Sequence, residues 1–436
     1  MRGPLVLLIV AIAALMALRS PWIGVMLWNW ISIMNPHRYS YGFAQTAPVA
    51  MVAALVTMIG LLMAKDQRES PFKSSAVVVF FVFMVWMTIS WLFGLDIAGD
   101  YDQWIKVMKI DFMVLVGLAL LHSKKHALAL AWVSAGSLLV LGVKGGIFTI
   151  ISGGQERVWG PPSTFIEDNN EFGLALVMTI PLVRFLQMQM QNRWGRWAMT
   201  VSMLLCAVAA FGTHSRGALL AISAMALVLW VRGKNKIVSG VLMVAVAASL
   251  TAFMPEKWTE RMNTIETYQQ DGSAQGRLAA WSAAWGIAKD YPAGVGFSQV
   301  RQELFDKYSH NAAAGARAAH SIYFQILGNH GFVGLTLFLL VWFLTWRHAG
   351  LLRVQCKNMP QAQWCSDLGA MVQVSLIGYL VGGAFLSLAY FDLPYNVMML
   401  VAIARVWVAK KAWQHEPVNH SRWWDLLGLG TPARAT

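Results

Sequence analysis

The feature that most constrains this chain is a succession of apolar runs, each close to the roughly 20 residues a helix needs to cross a bilayer. They fall at about 46–64, 75–94, 107–122, 126–143, 171–190, 195–212, 217–232, 236–253, 320–346, 367–391 and 394–413. Short polar turns separate them. A transmembrane barrel would instead alternate apolar and polar residues over ten-residue segments. Soluble domains carry roughly 25% charged residues, and this chain carries 13%, against 57% hydrophobic. The fold class read from this pattern is an all-α polytopic membrane protein.

Residues 1–34 are harder to divide. Leu5–Leu18 and Trp22–Met34 are each short for a crossing, and Arg19-Ser20-Pro21 lies between them. They make either a short hairpin or one broken crossing. The first run lacks a signal-peptidase site and is read as retained.

A formal net charge of +13 invites a nucleic-acid partner, but its distribution argues against one. The Lys and Arg residues punctuate loops at Lys65–Lys73, Lys124-Lys125, Arg193–Arg196, Arg232–Lys236 and Arg347–Lys357, and a tail with Lys410, Lys411 and Arg422. That is the positive-inside pattern, and it places these loops in the cytoplasm. Residues 95–106, 144–170, 213–216 and 254–319 then face outward, into the periplasm of a Gram-negative cell. With a single crossing in 1–34 there are about twelve helices with both ends inside. The expected organisation is N-terminal membrane helices over 1–253, an external loop over 254–319, C-terminal membrane helices over 320–413 and a cytoplasmic tail over 414–436. Cys206, Cys356 and Cys365 offer neither a disulfide framework nor metal-ligand spacing.

The long external stretch holds seven Lys/Arg and seven Asp/Glu between Met254 and His320. A polar excursion of this size must either be disordered or fold back on the membrane helices. Its aromatic residues, Trp258, Trp281, Trp285, Tyr291 and Phe297 among them, favour a folded helical cap over an active site.

Three residues stand out as chemistry. Arg216 sits in His214-Ser215-Arg216-Gly217, a short outward connection between two apolar runs. A snorkelling arginine would read the same way, but an Arg on the side that the positive-inside rule leaves poor in Arg is a functional candidate. Arg277 precedes the spacing Leu278, Trp281, Trp285, which reads as an amphipathic helix with Gly272, Ser273 and Gly276 before it. A cation in a first helical turn opposes the dipole unless an anion joins it there. His320 stands where the loop re-enters the membrane, and a histidine exchanges protons near neutral pH. His330 and His310 are weaker candidates. Asp100-Tyr101-Asp102 is a D-x-D that could hold a divalent cation, but Lys106 and Lys109 oppose it, and Glu167-Asp168 is equally weak. No metal site is assigned. A lipid or polysaccharide transporter would show charges deep in the apolar runs and internal repeats; neither is prominent.

Taken together, GTHSRGALLA, GRLAAWSAAW with DYPAGVGFSQV, and HSIYFQILGNHGFVGL resemble the successive signatures of the O-antigen ligase and polymerase family. The N-terminal SPWIGVMLWNWISIMNPHRYSYGFA is similar to the O-glycosylation ligases found with exosortase systems. The resemblance implies a GT-C-like glycosyltransferase architecture. It also implies transfer of a glycan from an undecaprenyl-diphosphate donor to a lipid A–core hydroxyl at the periplasmic face, with no cofactor. Membrane lipids would be the other partners, and nucleic acid would not. On that reading Arg216 and Arg277 hold the diphosphate, His320 serves as base, and Lys106, Lys109 and Arg157 help bind the anionic donor. A polysaccharide polymerase and a protein O-oligosaccharyltransferase share these motifs.

Overall fold

Polar caps divide the apolar sequence into helices. Ser123, Asp168, Asn192 and Ser215 each accept a backbone N–H of the following turn, which satisfies donors that a helix start leaves free. The computed structural model describes residues 2–63, 68–233, 235–263, 272–311 and 315–414. In order the helices are α1 (Arg2–Arg19), α2 (Pro21–Met34), α3 (Phe43–Thr46), α4 (Val49–Met63), α5 (Ser75–Leu92), α6 (Tyr101–Leu120), α7 (Lys124–Ile151), α8 (Asn169–Met188) and α9 (Arg193–Gly212). They continue with α10 (Arg216–Arg232), α11 (Lys236–Phe253), α12 (Glu256–Asn263), α13 (Gly272–Asp290), α14 (Gln302–Tyr308), α15 (Ile322–Gln355), α16 (Gln363–Gly383) and α17 (Asp392–Ala409). Among the described residues there is no strand. Eight of the elements are long and apolar enough to cross a membrane, so the chain is a multi-pass membrane protein. The predicted tail over 414–436 lies almost wholly outside the described residues, as does the Lys65 end of its loop.

The first 34 residues form the hairpin. Ser20 alone separates α1 from α2, and Gly3 near the start of α1 packs against Ser40 and Ala44 beyond the end of α2. Trp22 at the apex meets His126 and Lys125 at the start of α7. The hairpin thus puts two helices where the count of about twelve assumed a single crossing. It also puts Gly3 on the same face as residues 36–46.

The passes alternate between two faces. On one, Glu69 pairs with Lys73 and with Lys410, and its N–H donates to Ala119. Gln189 donates to Asp367 there. This is the basic face, with Arg19, Lys124, Arg193 and Arg353 at helix ends. The opposite face carries the 36–46, 93–100, 152–168, 213–215, 254–263, 272–311, 315–321 and 384–391 segments. Helices α8, α16 and α17 form the centre of the bundle, whereas no residue of α11 is buried.

On the site face one loop is pinned with particular firmness. Helix α15 breaks at Gly331, which takes φ +66°, and a break of this kind frees carbonyls that need donors. Gly296 N–H donates to the Asn329 carbonyl at 3.0 Å and Trp86 Nε1 to that of His330 at 2.8 Å. The 292–297 turn fills the break, and Gly294 (φ +82°) lies directly on Asn329 and His330. Asp100 holds the other side of the turn, accepting from Phe297 N–H at 2.7 Å and from Ser298 Oγ. Burial raises the Asp100 carboxyl above its ordinary range, and the Phe297 N–H bond opposes that shift. Asp100 is thus a buried anchor, while Asp102 is exposed two residues on. The D-x-D does not converge on one point. His330 is fully buried, bonded to Tyr390 Oη at 2.8 Å, with Phe297 edge-on at 4.9 Å. His310 is exposed beside Ser282.

Candidate active site

The site is built where four segments meet over the N-terminus of α8. The 213–215 turn is fastened first: Asn169 Nδ2 donates to the Thr213 carbonyl at 2.6 Å, and His214 Nε2 lies 3.0 Å from the Gly154 carbonyl. Val158 N–H donates to Gly212 at 3.0 Å, which straps the 152–168 segment alongside. Ser215 then caps α10, and Arg216 is the first residue of that helix, half-buried. The cation at a helix start, against the dipole, is therefore Arg216.

Arg277 differs from its expected position. Helix α13 begins at Gly272, so Gly272, Ser273 and Gly276 lie inside it and Arg277 falls in the second turn. Close packing accounts for the lack of a side chain at Gly276, where a methyl would sit 2.8 Å from the Arg317 guanidinium, whereas Gly272 has open space. One turn after Arg277, Trp281 joins the parts of the site. Its Nε1 donates to the Ala319 carbonyl at 2.7 Å, its ring stacks on Phe324 at 5.0 Å, and it meets Phe385 at 6.2 Å. Phe385 in turn packs on Gly217, next to Arg216.

His320 follows Ala319. It holds a left-handed backbone (φ +42°) just before Ser321, the residue that precedes α15. For a residue with a Cβ this conformation costs about 1 kcal/mol or more. Such residues gather at functional sites where surrounding contacts hold them, and here the Trp281 bond and the packing of Ile322 under Gly383 do so. His214 is left-handed as well (φ +55°). Arg216 at the start of α10, Arg277 one turn before Trp281 and His320 beside Ala319 thus lie on the same face as the Trp281, Phe324 and Phe385 rings.

Lys106, Lys109 and Arg157 share this face at its edge. Lys106 Nζ lies 3.9 Å over the Phe165 ring, on the segment that leads into α8. Lys109 is exposed one turn further along α6, and Arg157 is exposed beside the Val158 strap.

The sequence reading missed Glu171. It is buried in the first turn of α8, and its Oε1 lies 3.6 Å from His320 Nδ1 while accepting Ser387 N–H at 3.2 Å. Asp168 caps the helix three residues earlier. Burial pushes its carboxyl up, but hydrogen bonds from Glu171 and Asn170, with His320 nearby, outweigh this and hold it below its ordinary value. The available signal was the D-x-x-E spacing just before an apolar run, the pattern of a capping box.

A multi-pass helical membrane protein with two arginines and a histidine gathered at one face defines the class. Residues 201–339 match the family model described as O-antigen ligase, which supports placing this domain in the O-antigen ligase family. Residues 1–191 match a family of unknown function (DUF5935). No curated protein matches the chain. The family implies a glycosyl-transferring enzyme of the ligase or polymerase kind.

Proposed function

We propose that this protein is an O-antigen ligase that moves a glycan from undecaprenyl diphosphate to a hydroxyl of the lipid A–core oligosaccharide at the periplasmic face of the inner membrane. The reading is supported by the match of residues 201–339, which contain Arg216, Arg277 and His320, and by the bond from Trp281, one turn after Arg277, to Ala319, next to His320. The passes act as membrane crossings in a GT-C-like arrangement, with the basic face in the cytoplasm. Residues 254–319 are the cap.

The chemistry follows from these groups. A lipid diphosphate leaving group gains charge as the glycosidic bond breaks, and guanidiniums bind phosphate bidentately. Arg216 and Arg277 supply that charge, with Lys106, Lys109 and Arg157 drawing the anionic donor to the face. His320 takes the proton of the acceptor hydroxyl. A single displacement inverts the anomeric centre.

The test is transfer in vitro by purified protein given an undecaprenyl-diphosphate glycan and lipid A–core, with EDTA present. Arg216→Ala, Arg277→Ala and His320→Ala are each expected to lose about a hundredfold or more in kcat. Elongation of the lipid-linked glycan with the core ignored would make the protein a polymerase. Loss of transfer in EDTA would refute the metal-independent mechanism.

A further inference from the structure

We propose that Glu171 is a positioning residue that holds His320 as the tautomer protonated on Nδ1, leaving Nε2 to receive the acceptor proton. The inference rests on the transferase reading above. The two groups come from distant parts of the chain, the start of α8 and the residue before Ser321, and stand 3.6 Å apart. Glu171 is 7% exposed in its side chain and His320 is 38% exposed. The Nδ1 atom itself is buried and has no hydrogen-bond partner. The exposed part of the ring is therefore its other atoms, and Nδ1 is the one turned toward the carboxylate. A small approach closes 3.6 Å to a hydrogen bond, as catalytic contacts tighten when substrate binds.

The carboxylate is held for this task. Ser387 N–H fixes Oε1, the oxygen nearest the imidazole. Oε2 is buried with no hydrogen-bond donor from the rest of the protein, and Asp168 lies within hydrogen-bonding reach on the same helix end. The Asp168–Glu171 pair can thus share a proton and still present negative charge to His320. The charged groups that face His320 are Glu171, 3.6 Å from Nδ1, and Asp168 on the same helix end. An imidazolium formed in the reaction thus has an anion beside it.

In the transfer step the acceptor oxygen bonds to the anomeric carbon. The bond from that carbon to the diphosphate oxygen breaks, and its electron pair leaves on the diphosphate. The hydroxyl proton passes to His320 Nε2. The imidazolium then carries Nδ1–H toward Glu171, and loss of the Nε2 proton to water resets the site. A histidine in the other tautomer would have no lone pair where the acceptor proton leaves.

The test uses the full chain in nanodiscs with 15N-labelled histidine, the His320 signals being identified by their loss in His320→Gln. Wild type is expected to show His320 protonated on Nδ1. In Glu171→Gln, which keeps an acceptor for Ser387 N–H but can turn an amide N–H toward the ring, that preference is expected to vanish. Its kcat should fall about a hundredfold at unchanged KM for donor. Rescue of the tautomer and of kcat by none but carboxylate side chains fits the same role. Wild-type His320 protonated on Nε2, or an unchanged tautomer in Glu171→Gln with loss only of thermal stability or KM, would overturn the proposal and leave Glu171 as a helix cap. Failure of the transferase reading looks different: wild type would transfer no glycan, or His320→Gln would transfer at the wild-type rate, while the tautomer measurement still decides the role of Glu171.

Discussion

Replacing Gly294 with alanine tests how the cap is locked to the bundle. Gly294 has φ +82°, and a methyl there would stand 2.5 Å from His330 Cα and against the Asn329 carbonyl. The left-handed conformation costs a residue with a Cβ about 1–2 kcal/mol, and overpacking against backbone that cannot turn aside costs about 1–3 kcal/mol more. Together these amount to about 3 kcal/mol of local destabilisation, or roughly a hundredfold in the opening equilibrium of the turn. Hydrogen exchange reads this directly at Gly296 N–H, bonded to Asn329, and Phe297 N–H, bonded to Asp100. Both amides should exchange about a hundredfold faster in Gly294→Ala. Gly315→Ala is the control, since Gly315 has φ +74° but no atom within 4 Å of an added methyl. It should leave both amides unchanged. Exchange within about threefold of wild type in Gly294→Ala would refute the reasoning, because a turn truly seated in the α15 break cannot absorb that methyl.

Other perturbations give separate checks. Trp281→Phe keeps an aromatic ring against Phe324 but removes the donor to Ala319. Losing about 1 kcal/mol of hydrogen bond and the hold on His320 should lower kcat about tenfold, with a thermal midpoint near wild type. Tyr41, 94% exposed, and Trp194, 81% exposed, lie on opposite faces. An impermeant maleimide applied to intact cells should label Tyr41→Cys and spare Trp194→Cys, the three native cysteines being buried. Labelling of both, or of the second alone, would reject the assigned topology. Because Asp168 is held below its ordinary value, it stabilises the start of α8 above the unfolded carboxyl pKa of about 3.9. That contribution is lost as pH falls through its lowered value. Acid-induced loss of thermal stability should therefore have a component that disappears in Asp168→Asn.

The apolar runs were legible because the bilayer imposes their length, and Arg216, Arg277 and His320 stood out as candidates because they interrupt an apolar background. What could not be read was how short pieces turn. Leu5–Leu18 and Trp22–Met34 are too brief for hydropathy to separate a hairpin from a kink; the direction at Ser20 is settled by packing on α4 and α7. Glycines misled at α13, where Gly272 and Gly276 look like a loop before a helix but lie within it; at Gly276 Arg317 occupies the space a side chain would take. Glu171 was hidden for a different reason. A capping carboxylate and a partner for a histidine 149 residues away have the same local sequence, and only the bundle brings that histidine to it.

The turn seated in the α15 break has a consequence for the order in which the protein matures. Asp100 emerges early in synthesis, yet its partners Phe297 and Ser298 come 197 and 198 residues later. The break that receives the turn needs Asn329 and His330, and these in turn rest on Tyr390. The cap therefore cannot close until α17 is beginning to be made. A chain arrested anywhere short of that point has membrane helices but lacks the Tyr390 contacts behind the turn, so on the proposed reading the complete site forms only on a nearly finished molecule.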